Sequence, residues 1–87
     1  MARATLILPR VLQEAVGTTR LKVEGRTLRD AFEDAYLRLP ALRHHLCEES
    51  GRFRAHILCF LEGEQKPLSA ELEEGDEISI FQAISGG

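Results

Sequence analysis

The chain has 87 residues, 44% of them apolar and 29% charged, a balance that fits one small globular domain and excludes a disordered chain. A formal net charge of −3 argues against nucleic acid, which calls for a basic stripe, and fits partners that present basic surface. No apolar run is long enough for a membrane span and no secretory leader is read, so the cytoplasm is the expected compartment, with Cys47 and Cys59 as reduced thiols.

In chain order, Thr5-Leu6-Ile7-Leu8 reads as a strand stopped by Pro9, and Gly17-Thr18-Thr19 as a turn region. Arg20 to Glu24 alternates polar and apolar, a half-buried strand with Leu21 and Val23 inward and Gly25 at its end. Thr27-Leu28-Arg29-Asp30 resembles a capping box, with Asp30 standing in for the usual Glu or Gln. Leu28, Ala31, Phe32, Ala35, Tyr36 and Leu39 then recur at helical spacing as one apolar stripe, until Pro40 ends or kinks the helix. Leu42 and Leu46, four apart, predict a short second helical turn, and Ser50-Gly51 a loop.

From His56 to Glu62 the alternation returns, with Ile57, Cys59 and Leu61 on one face and His56, Leu58, Phe60 and Glu62 on the other. Gly63-Glu64 reads as a turn, Pro67-Leu68 as an irregular link that leaves room for a short edge strand, and Glu74-Gly75-Asp76 as another turn. Glu77 to Phe81 is the last strand, with Ile78 and Ile80 inward. Two strands, a helix, then further strands imply α+β architecture with one sheet packed across one main helix. The β-grasp, or ubiquitin-like fold, is the economical solution, although composition does not separate it from other small α+β folds. The expected organisation is a single domain over residues 1–87 with a flexible diglycine tail from about residue 82 to 87.

The strand phases place Leu58, Phe60 and Phe81 on the sheet face away from the helix, where an apolar patch with aromatic anchors predicts a partner-binding surface. The acidic run Glu71, Glu73, Glu74, Asp76 and Glu77 is a solvated edge that can also steer a basic partner. His44-His45-x-Cys47, with His56 and Cys59, has no recognised metal-ligand spacing, and no metal is expected.

These features resemble the ubiquitin-like sulfur carrier family, which includes the small subunit of molybdopterin synthase and the thiamine-pathway sulfur carrier. The resemblance covers almost the whole chain. Leu8-Pro9-Arg10-Val11-Leu12 is similar to the segment after the first strand in a subgroup that includes a mycobacterial cysteine-biosynthesis carrier. Val23-Glu24-Gly25-Arg26-Thr27-Leu28 resembles the family's helix entry and Leu39-Pro40-Ala41-Leu42 its helix exit. The most specific stretch runs from Leu72-Glu73-Glu74-Gly75-Asp76-Glu77 through the final strand to Gly86-Gly87. The chain departs from the pattern at Gln82, where many relatives carry proline, and at Leu58, where the subgroup tends to asparagine.

The resemblance implies that Gly87 is the reactive position and that Ser85 and Gly86 form the tail leading to it. A carboxylate resists nucleophiles until adenylation removes its charge and supplies a leaving group. The implied partners are an E1-like adenylating enzyme that uses ATP and Mg, a persulfide or sulfide donor, and a downstream sulfur-accepting enzyme. No cofactor is expected on the chain itself. It would be a carrier or cosubstrate and not an enzyme, able to serve as the small subunit of a sulfur-transfer synthase. Without Cβ atoms, Gly86 and Gly87 can pass a narrow channel to a buried nucleotide site. The pathway served stays open among cysteine, molybdopterin, thiamine and tRNA thiolation. A ubiquitin-like modifier, joined to target lysines through Gly87, begins with the same adenylation; an interaction domain with an inert terminus is the third reading.

Overall fold

Six extended residues, Ala2–Ile7, form strand β1, which starts earlier than its apolar run alone suggests. Pro9 then opens a 3-10 turn (Arg10–Leu12) that continues into a one-turn helix α1 (Gln13–Val16), closed by Gly17 in the left-handed region at φ 85°. Strand β2 (Arg20–Gly25), helix α2 (Leu28–Arg38) and helix α3 (Pro40–Leu46) follow. The chain returns as β3 (Ile57–Leu61), β4 (Glu64–Gln65) and β5 (Asp76–Gln82). The computed structural model describes residues 1–83.

The strands form one mixed sheet in the order β2-β1-β5-β3-β4, with β1 and β5 parallel at its centre and the other pairs antiparallel. This is the β-grasp arrangement. Ala4, Leu6, Val23, Ile57, Cys59, Leu61, Ile78 and Ile80 are buried on one sheet face, against Leu28, Ala31, Phe32 and Ala35 of α2. Leu42 and Leu46 of α3 complete the core, so the four-residue spacing marks a full short helix with Pro40 in its first turn. Leu21, expected inward, is only partly buried and packs at the core's edge.

The helix begins where Thr27 predicted. The Thr27 hydroxyl accepts from the Asp30 N–H at 3.3 Å, and the Asp30 carboxylate takes the N–H groups of Thr27 at 3.3 Å and Arg26 at 3.1 Å. Gly25 lets the helix start hard against the strand, since a Cβ there would meet Asp30 Cβ at 2.6 Å and the Ala31 nitrogen at 2.7 Å. The β3–β4 turn is Glu62-Gly63, one residue earlier than expected. Both residues have positive φ, 49° and 83°, as the twist of a two-residue hairpin demands. Glu62 therefore leaves the outer face of β3, and its carboxylate accepts the Glu77 N–H at 2.6 Å.

The free edge of β2 is occupied by local acceptors. The Arg20 N–H donates to Thr18 Oγ1 at 3.2 Å and the Glu24 N–H to Asp34 Oδ2 at 2.9 Å.

Candidate interaction surface and tail root

The phase of β3 and β5 brings Leu58, Phe60 and Phe81 together on the face away from α2. Leu58 stands directly opposite Phe81, and the Phe60 and Phe81 rings meet edge to face, with centroids 5.3 Å apart at 85°. Leu58 and Phe60 are half-buried, while Phe81 is 52% exposed. Phe60 thus packs against the Phe81 ring, and the half of that ring left open to solvent is what the surface offers.

The surface runs further than the sequence suggested. Ile7 lies in the same cross-strand row as Ser79 and Phe60, and Val11, carried on the 3-10 turn, is 67% exposed. Together with Pro9, Ile80, Phe81 and Gln82 they line a groove of about 350 Å3 with no charged residue in its wall. Val11 was missed because the residues after Pro9 were not read as helical. A signal existed: Leu12 and Val16 are four apart and precede Gly17, which fixes Leu12 inward and throws Val11 out.

Gln82 is the last residue of β5, and the Ala83 N–H donates to the His56 carbonyl at 2.7 Å. Ser85, Gly86 and Gly87 lie outside the described residues. The last described residue, Ala83, is thus bonded at the start of β3, next to the aromatic face.

The acidic run divides into two groups. The Glu74 carboxylate takes the backbone N–H of Arg3 at 2.9 Å and its Nε at 3.0 Å, and these contacts hold its acid below the ordinary range. Asp76 accepts the Glu73 N–H at 2.8 Å. Both side chains pin the turn into β5; Glu77 lies 3.9 Å from the Arg20 guanidinium, and Glu71 and Glu73 are exposed carboxylates.

Among the described residues, no three His, Cys, Asp or Glu side chains come together in a group that could hold a metal ion. Cys47 and Cys59 are buried free thiols. Burial pushes the Cys59 thiol up to about 11. Cys47 Sγ is hydrogen-bonded to the Tyr36 hydroxyl at 3.2 Å, and burial, followed by this bond, raises the Tyr36 phenol. His44 and His56 are exposed on separate segments. No helix among the described residues is long and apolar enough to cross a membrane.

Comparison with known proteins agrees with this geometry. The ThiS family model matches residues 6–87. Small archaeal modifier protein 1 of Haloferax volcanii is 33% identical over 79 residues, covering 87% of this chain and 91% of that protein. Its crystal structure superposes with a TM-score of 0.88 at 27% identity, over 99% of this chain and 100% of the other. The crystal structure of the Amycolatopsis orientalis BexX/CysO complex contains a chain with the same fold, at TM-score 0.81 and 24% identity, over 97% of this chain and 99% of that one.

Proposed function

Because this chain belongs to the ThiS family of ubiquitin-like sulfur carriers, we propose that it is a protein cosubstrate whose Gly87 carboxylate is adenylated by an E1-like enzyme and then converted to a thiocarboxylate. One observation carries the reading: the exposed aromatic Phe81 lies on β5, the strand that ends at Gln82, only five residues before Gly87 in the sequence. A partner seated on Leu58, Phe60 and Phe81 has the reactive terminus within the reach of five residues beyond Gln82, at most about 17 Å.

The chemistry asks little of this chain's side chains. ATP and Mg belong to the activating enzyme. The carboxylate attacks the α-phosphate, pyrophosphate leaves, and the acyl-adenylate loses AMP to a sulfur nucleophile. Sulfide gives the thiocarboxylate directly, whereas a persulfide gives an acyl disulfide that a thiol must cleave. The sulfur then passes to an accepting enzyme in one of the biosynthetic routes named above, in the cytoplasm. Residues 1–83 act as the handle and the diglycine tail as the arm.

ATP–pyrophosphate exchange with the cell's own adenylating enzyme tests this. Deleting Gly87 withdraws the carboxylate by up to about 3.5 Å, comparable to the whole approach distance of reacting atoms. Exchange should be abolished while the melting temperature stays unchanged. Full exchange by the deletion variant refutes Gly87 as the adenylated residue.

The similarity to an archaeal modifier protein supports a second reading, in which a lysine amine instead of sulfur displaces AMP and leaves an isopeptide bond. Intact-mass measurement on protein from its native cell separates the two. Exchange of one oxygen for sulfur marks the carrier, and a ladder of heavier conjugates marks the modifier.

A further inference from the structure

The groove beside Phe81 has a backbone origin. The Ala83 N–H reaches the His56 carbonyl at 2.7 Å and the Glu62 N–H reaches the Glu77 carbonyl at 2.9 Å. In that antiparallel register the odd-numbered residues of β5 bond to β3, and Ile78, Ile80 and Gln82 aim their N–H and C=O groups at β1. But β1 pairs with β5 only as far as Ile7 opposite Ser79. The residue after β1 that would next face β5 is Pro9, which has no N–H, and its carbonyl turns to accept the Leu12 N–H at 3.0 Å and takes no bond from Gln82. The Leu8 N–H turns the other way, to the Thr19 carbonyl at 2.8 Å. Beyond Ile7, β1 therefore offers neither a donor for the Ile80 carbonyl nor an acceptor for the Gln82 N–H.

We propose that this notch is a strand-addition site: an extended segment of the adenylating protein lies beside residues 80–82 of β5, taking the place β1 vacates. Its N–H donates to the Ile80 carbonyl and its C=O accepts from the Gln82 N–H, and its side chain against Val11, Ile7 and Phe81 is apolar. A backbone pair left unmatched among the described residues calls for another backbone. The groove's uncharged wall selects an apolar residue over a charged one, which would be desolvated there without a partner. The position also has a use. A strand paired with Gln82 fixes the direction of the chain just before the tail, so the terminus is aimed by main-chain bonds as well as tethered by the aromatic patch. This inference rests on the adenylation reading above and adds to it where the activating protein grips.

Amide hydrogen exchange by NMR on the full chain, alone and with the adenylating enzyme without ATP, tests it alongside ATP–pyrophosphate exchange. In the free chain the Phe81 amide, bonded to β3, should be protected and the Gln82 amide should exchange. In the complex, Gln82 should slow by at least about tenfold. Val11→Arg, at a site already 67% exposed, should leave the melt unchanged and raise the half-saturating concentration of this chain about tenfold. Gln82 protected in the free chain at every concentration means that the chain's own residues fill the notch. Protection that appears only as the free chain is concentrated means that a second copy does. Normal pyrophosphate exchange, with Gln82 unchanged in the complex or Val11→Arg without effect, overturns strand addition while adenylation stands. Absence of pyrophosphate exchange with the unaltered chain overturns both.

Discussion

Phe32 shows what one residue carries in so small a core. Its ring is buried, meets Phe53 edge to face at 5.1 Å and 80°, and lies 6.4 Å from the Tyr36 ring. Replacing it by alanine removes a filled volume from α2 and takes away the support for the loop that brings Phe53 in. Phe32→Ala should cost about 3–5 kcal/mol, enough to lower the melting temperature sharply. A thermal melt is the check. Phe32 was legible in the sequence through its helical spacing. Phe53 was not, because an isolated aromatic in a loop has no period and only the folded chain shows what it meets.

At the scale of elements, α2 does more than cover the sheet. Asp34, on its flank, takes the Glu24 N–H at 2.9 Å and Arg38 Nε at 2.8 Å on the same oxygen. Burial pulls this carboxyl upward, but those two donors outweigh it and hold the acid below the ordinary 3.8. A depressed carboxylate stabilises the fold above its unfolded value, and that contribution is lost as the pH falls through the folded one. Asp34→Asn should therefore lower the melting temperature at neutral pH, and the two proteins should converge as the pH drops below 3.8; melts across an acid series measure it. The Arg38 half of this clamp is an i,i+4 pair within α2, but the Glu24 half was hidden in the sequence, since those residues are ten apart on different elements. What was legible was periodic or local: the capping box at Thr27, the stripe of α2, and the alternation of β3 and β5. The helical segment after Pro9 was missed because Pro9 was read only as the stop of β1, although the Leu12/Val16 pair has the same four-residue spacing as Leu42/Leu46, and Val11's place on the surface was missed with it.

For the whole molecule, the aromatic face and the core sit on opposite sides of the same two strands, so each can be changed without the other. Phe81→Asp should keep the melting temperature within a few degrees, because the ring is 52% exposed and its only aromatic contact among the described residues is Phe60. Association with the activating enzyme should weaken by more than about tenfold, the usual scale for an aromatic anchor; titration calorimetry beside a melt reads both. The aromatic pair was visible in the strand phase, whereas the groove next to it depends on where β1 stops relative to β5. The clamped margin of β2 has a consequence for the crowded cell. Sheets grow when an added strand finds a row of free backbone groups, and on this side the Arg20 and Glu24 N–H groups already donate to the chain's own oxygens. A strand laid along β2 would find the N–H of Lys22 between two that are taken, which makes this margin a poor template for a second sheet.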